Sequence, residues 1–155
     1  MQFTRFTDYS LRVLMYLGER LDHLVTIREV AEIHGISENH LMKIVNRLAT
    51  CGYIETVRGK GGGMRLARQA DMISLGDVVR DTEESMNIAE CFDAGASSCT
   101  LLPTCILKSI LIEAKKNFLA TLDLYRLSDL IPPASGAAAS TRVAESKTAR
   151  KVISQ

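Results

Sequence analysis

Apolar residues at positions 11, 14, 15 and 17 of "TDYSLRVLMYLGERL" recur at helical spacing and predict a first helix from Thr7 to Leu21. Thr7 is its expected N-cap, with Asp8 in the first turn, where a carboxylate suits the helix dipole. Thr26 followed by Glu29 reads as a capping box opening "IREVAEIHG", and Gly35 supplies a left-handed stop. Ser37 then caps a further helix, "ENHLMKIVNRLATCG", which Gly52 closes. Leu41, Ile44, Val45 and Leu48 share one face of it; Asn39, His40, Lys43, Asn46 and Arg47 share the other. Two short helices joined by "HGIS", with the small residues Ala31 and Gly35 at the packing and turn positions, predict a helix-turn-helix.

The period then changes. "YIETV" and "MRLA" alternate around the glycine-rich "RGKGGG", which predicts a β-hairpin, the wing of a winged helix. The same glycines do not make a phosphate loop: the Walker spacing is missing and a strand, not a helix, follows. "SLGDVVRDTEE" predicts a short helix capped by Ser74. A long helix is expected from Thr104 to Leu127, with Ile106, Ile110, Ala114, Phe118 and Leu122 in one stripe flanked by Leu107, Leu111 and Tyr125. That apolar width exceeds what a small winged domain can cover. A dimerisation helix is expected, with a core helix of the same chain as the alternative. From "PPASGAAASTRVAESKTARKVISQ" onward the composition is that of a disordered tail.

Composition bounds the class. A chain of 155 residues with 46% hydrophobic and 24% charged residues suits one globular domain with an extension. No signal peptide and no run long and apolar enough to span a membrane is read, so a cytoplasmic protein without membrane contact is expected. The net charge of +1 hides an uneven distribution. Between Asn39 and Arg68, six basic residues (Lys43, Arg47, Arg58, Lys60, Arg65, Arg68) face Glu55 alone, whereas between Asp71 and Glu90 six acids face Arg80 alone. The basic block is a candidate nucleic-acid surface or a solvated face. In a helix-turn-helix the start of the second helix enters the major groove. Candidate DNA contacts are therefore Ser37, Asn39, His40, Lys43, Asn46 and Arg47 on the second helix, and Arg58, Lys60 and Arg65 around the wing tip.

Three of the four cysteines lie in "CFDAGASSCTLLPTC", at Cys91, Cys99 and Cys105, with spacings of seven and five residues. In a reducing compartment such a cluster points to metal or redox chemistry rather than to a disulfide framework. Thiolates are the usual ligands of iron–sulphur clusters. Zinc and a cluster-free redox switch are the alternatives; zinc is disfavoured by the spacings and by the absence of any His after His40. Cys51, at the end of an amphipathic helix, reads as a buried small residue.

"FTDYSLRVLMYL", "ISENHLMKIVNRLATCGYIETVRGKGGGMRL", "ISLGDVVR", the three cysteines and "YRLSDL" together resemble the Rrf-type family of winged-helix regulators, over residues 1 to 131. The resemblance implies a mainly α fold with a small β-hairpin, in which a winged helix-turn-helix is joined to a long C-terminal dimerisation helix. It implies residues 1–82 as DNA-binding domain, 83–131 as cluster-binding loop and dimerisation helix, and 132–155 as tail. It further implies a homodimeric bacterial transcription regulator, not an enzyme, with a 2Fe–2S or 4Fe–4S cluster on Cys91, Cys99 and Cys105. "RGKGGG", "NHLMKIVNRL" and "PTCILK" are most similar to the nitric-oxide-sensing branch, in which Asp8 of the partner subunit matches an oxygen ligand. The plain alternative for Asp8 is a helix-terminal acid paired with Arg12. The cluster-biogenesis branch carries a His three residues after its last cysteine; here that position is Lys108. The first cysteine gap, seven residues, is longer than the branch's usual four or five. The expected function is a nitric-oxide-sensitive repressor that binds double-stranded operator DNA as a homodimer and is released when its cluster is nitrosylated. A cluster-biogenesis or cysteine-metabolism regulator, or a small iron–sulphur oxidoreductase, are the alternatives.

Overall fold

The computed structural model describes residues 2–93, 99 and 104–132. Its helices are α1 (Arg5–Glu19), α2 (Ile27–His34), α3 (Glu38–Thr50), α4 (Leu75–Thr82) and α5 (Ile106–Asp123). Its strands are β1 (Ile54–Val57) and β2 (Gly63–Leu66), paired antiparallel with Glu55 opposite Arg65 and Thr56 opposite Met64. The architecture is mainly helical with one hairpin, as expected: a winged helix-turn-helix followed by a long C-terminal helix. The expected tail from 133 onward lies outside the described residues.

The core forms where the apolar faces of α1, α2 and α3 meet the hairpin. Leu14 and Leu17 of α1, Val30 of α2, Leu41, Ile44 and Leu48 of α3 and Met64 of β2 are all essentially inaccessible. Each such side chain contributes about 1.5–3 kcal/mol by leaving water. Val25 forms an isolated antiparallel bridge to β2: it exchanges backbone hydrogen bonds with Met64 at 3.0 and 2.8 Å, which ties the wing to the segment entering α2. Gly63 permits this, since a Cβ there would stand 2.7 Å from the Val25 carbonyl oxygen. The turn between α2 and α3 depends on Gly35, whose φ of 64° is the left-handed conformation that side-chain-bearing residues avoid. Ser37 then caps α3 by accepting from His40 N–H at 3.4 Å.

One local expectation is corrected. α1 starts on Thr4 rather than Thr7: the Thr4 hydroxyl accepts from Thr7 N–H at 3.3 Å. Thr7 itself is buried inside the helix, and its hydroxyl donates to Glu83 at 2.5 Å. Thr26 caps α2 as expected, accepting from Glu29 N–H at 3.2 Å. The Glu29 carboxylate also accepts from the buried Tyr16 hydroxyl at 2.8 Å and approaches His23 at 3.4 Å.

α5 is shorter than expected and has no buried residue, so it is not a core helix of this chain. Its C-terminal half lies on the body. Arg80 of α4 grips Asp123 with two parallel bonds of 2.7 and 2.6 Å, and Phe118 meets Phe3 with ring centroids 6.0 Å apart. Beyond α5 the chain returns to the core: Arg126 bridges to Ser74, Leu127 N–H donates to Ile73 O at 2.9 Å, and Leu127 is fully buried. Among the described residues no helix is long and apolar enough to cross a membrane.

Candidate functional site

The basic residues of the 39–68 block divide by what surrounds them. Arg68 is a structural cation: it lies over the Tyr53 ring at 4.9 Å and donates to Gly52 O and Cys51 O at 3.0 and 3.1 Å. Arg65 is paired with Glu55 directly across the hairpin. Arg47, though exposed, donates its Nε–H to Asp81 O at 2.7 Å, bracing α3 against the end of α4. Lys43 on α3 and Arg58 and Lys60 at the wing tip are exposed, with no ion-pair partner among the described residues. These three are the charges available to an incoming anion. They stand on the reading helix and on the wing, the two elements that such a fold presents to a duplex.

α3 is asymmetric in the same way. On one flank His40 is half-buried against the Tyr9 ring, with centroids 5.3 Å apart and edge-on, and near Phe6 at 6.4 Å. Arg47 lies on that flank too. The opposite flank is open: Asn39, Met42, Lys43 and Asn46 are all exposed, and Arg28 of α2 stands 3.8 Å from Glu38 at its edge. Ser37 spends its hydroxyl on the cap. The structure therefore gathers Asn39, Lys43 and Asn46 on one accessible strip, and it turns His40 and Arg47 toward the protein. Met42, half exposed, was not singled out by the sequence reading. Its signal was present: position 42 falls off the apolar face made by Leu41, Ile44, Val45 and Leu48, yet carries a large apolar side chain.

The end of α4 is tied both to α3 and to the residue that leads into the wing. The buried Tyr53, just before β1, donates to the Asp81 carboxylate at 2.6 Å, while Asp81 O holds Arg47. Burial, then the Asp81 bond, push the Tyr53 phenol above its ordinary range, so it stays a donor at any physiological pH. Two residues on, Glu83 accepts from Thr4 N–H at 3.2 Å and from the Thr4 hydroxyl at 3.2 Å, closing the N-terminus of α1. A pocket of about 340 Å³ lined by Phe6, Arg47, Asp81, Thr82, Glu83 and Glu84 lies at this junction.

The cysteine segment begins directly after it. Cys91 is half-buried in the 3-10 turn Glu90–Phe92, Cys99 is exposed, and Cys105 is half-buried at the N-cap of α5, where exposed backbone N–H groups favour a negative ligand. Cys51 is likewise half-buried and packs against the core, a structural position. Among the described residues no three His, Cys, Asp or Glu side chains stand together as a metal-holding group; residues 94–98 and 100–103 lie outside that set. The donor chemistry of Cys91, Cys99 and Cys105, three thiols, fits an iron–sulphur cluster. Asp8 is half-buried on α1 and pairs with Arg12 at 2.9 Å, one turn on.

Known proteins extend the picture. Residues 3–133 match the model of the Rrf2 family, described as iron-dependent transcriptional regulators. The HTH-type transcriptional regulator NsrR of Bacillus subtilis (strain 168) is 51% identical over 132 residues, covering 84% of this chain and 90% of that one. NsrR of Geobacillus kaustophilus is 48% identical, with the same coverage. Among solved structures, IscR of T. potens superposes with a TM-score of 0.67 at 25% identity, covering 84% of this chain and 85% of that chain. CymR, the global cysteine regulator of B. subtilis, shares the fold with a TM-score of 0.68 at 21% identity, covering 84% and 95%. A helix-turn-helix with an open polar strip carrying Lys43, a cationic wing and these relatives lead to one conclusion: the chain belongs to the Rrf2 family and is a DNA-binding transcriptional regulator.

Proposed function

We propose that this protein is a nitric-oxide-responsive repressor that binds operator DNA as a homodimer in the cytoplasm. The observation that carries the reading is the position of the cysteine segment. Cys91 follows within ten residues of Asp81 and Glu83, whose bonds hold α3, the wing and α1. Residues 84–90 alone separate Glu83 from Cys91, so a change in the cysteine segment acts on the chain close to the bonds that hold α3, the start of the wing and α1. Its similarity to proteins named NsrR at 48–51% identity supports the same assignment.

Cys91, Cys99 and Cys105 would hold the iron–sulphur cluster, with Asp8 of the partner subunit as a fourth, oxygen ligand. When bound, the cluster supplies iron that reacts with nitric oxide, and this reaction is the signal for release from DNA. Lys43, Arg58 and Lys60 would contact phosphate, and Asn39 and Asn46 would address base edges. Two copies are required because an operator of two half-sites needs two reading helices at fixed separation.

The test is anaerobic purification followed by visible absorption and gel shift on promoter DNA. Cys91→Ala, Cys99→Ala and Cys105→Ala each lose the thiolate-to-iron absorption, Cys51→Ala keeps it, and Asp8→Ala keeps it with an altered band shape. Nitric oxide dissociates the wild-type complex with DNA. Full cluster retention in any of the first three variants removes the ligand assignment; a DNA complex indifferent to nitric oxide removes the sensing assignment.

A further inference from the structure

We propose that Met42 is a specificity-determining residue that reads the 5-methyl group of a thymine in the operator. The inference rests on α3 being the reading helix and names what one of its side chains recognises. α3 has already filled its core face: Leu41, Ile44 and Leu48 are inaccessible and Val45 nearly so. Met42 takes no part in that packing and is 50% exposed. It stands in the second turn of the helix, three residues after Asn39 and four before Asn46, so the three side chains follow one line along the open flank. On the other flank His40 packs edge-on against Tyr9 and Arg47 is engaged with Asp81 O.

The chemistry of the line is specific. Asparagine can address an adenine edge with two hydrogen bonds, but a thioether neither donates nor accepts strongly. The one major-groove feature that rewards an apolar, polarisable side chain is the thymine methyl. Methionine suits it because three rotatable bonds let the sulphur and terminal methyl settle on a target that polar neighbours have already placed. Lys43, adjacent on the same strip, supplies charge without competing for that contact.

The experiment uses the full chain, purified anaerobically, and an operator duplex that it selects from a random pool. Each thymine of one half-site is replaced in turn by deoxyuridine, which removes the methyl and leaves every hydrogen-bonding group. One replacement weakens wild-type binding about fourfold, the worth of one methyl taken from water. Met42→Ala weakens binding to the thymine duplex by a similar factor and no longer distinguishes thymine from deoxyuridine at that position. Met42→Leu, which keeps an apolar side chain of similar size, retains the discrimination. If Met42→Ala still responds to the replacement as wild type does, or if no replacement affects wild type, the assignment of Met42 is overturned. Lys43→Ala and Asn39→Ala separate the two levels. If they weaken binding while Met42→Ala fails the test, only the methionine contact falls. If they too bind as wild type at every salt concentration, α3 is not the reading helix, and the proposal falls with that reading.

Discussion

Lys43 and Arg47 lie one turn apart on α3 with the same charge and opposite surroundings. Lys43 points into the open strip, whereas Arg47 braces α3 against α4 through Asp81 O. Substituting each with alanine should therefore separate DNA binding from stability. Lys43→Ala is expected to weaken operator binding and to lower the salt dependence by about one unit of slope, as loss of a phosphate contact does, with an unchanged melting temperature. Arg47→Ala is expected to lose a charge-assisted bond worth about 1 kcal/mol, read as a fall of about 2–4 °C in melting temperature. Equal melting of Arg47→Ala and wild type would show that the bond to Asp81 O does not hold the helix. Spacing alone placed both residues on the polar face of α3. It could not separate them, because the partner of Arg47 is 34 residues away in sequence.

At the level of elements, α5 is the one α-helix among the described residues without a buried residue, and an ion pair contributes to its hold on the body. The Arg80 guanidinium keeps the Asp123 carboxyl below the ordinary carboxylate range, and Asp123 in turn raises Arg80. A depressed carboxyl contributes its stabilisation above its unfolded value of about 3.9 and loses it as pH falls through the lower, folded value. Docking of the C-terminal half of α5 should therefore be unaffected between pH 8 and 5 on this account and loosen on further acidification. Amide hydrogen exchange across 115–123, compared between wild type and Asp123→Asn, checks it. The variant should show the loosened pattern already at neutral pH, with no further acid step from this pair. The same scale shows what the sequence made legible. Caps, a left-handed glycine and a change of period from helical to alternating placed α2, α3 and the wing, because those signals act within a few residues. The start of α1 was misplaced by three residues because two threonines could serve as cap, and a carboxylate 79 residues from Thr4 decides between them. Glu29 satisfied a local capping pattern, but its bond from Tyr16 is a tertiary contact without a short-range signature. The return of Leu127 to the core was invisible for the same reason: a single leucine beyond a long amphipathic helix has no period of its own.

At the scale of the whole molecule, one apolar face is left uncovered among the described residues. In the N-terminal half of α5, Ile106, Leu107 and Ile110 remain 76, 60 and 56% exposed, with Ala114 exposed on the same line. Phe118 and Leu122, further along the expected stripe, are half-buried, and Phe118 meets Phe3. The stripe is thus divided: its far end is covered by the chain's own body and its near end is not. A contiguous apolar patch of this kind is unusual on a monomer, and a two-fold copy of the same helix would cover it with the same side chains it offers. Such a pairing also serves the proposed DNA reading, since α5 is fixed to α4 through Arg80 and Asp123, and α4 to α3 through Arg47. The separation of two reading helices would then be set through packed and hydrogen-bonded elements. Ile110→Asp should convert the proposed dimer to monomer, because a two-fold contact there would place two unpaired carboxylates in the apolar patch and double the cost. Thermal unfolding at low protein concentration should change little, since Ile110 is solvent-exposed within its own chain. Operator affinity should fall steeply, while binding to an isolated half-site should fall much less. Sedimentation velocity gives the deciding measurement: a variant that sediments as the dimer at micromolar concentration would show that the near end of α5 is not where two copies meet.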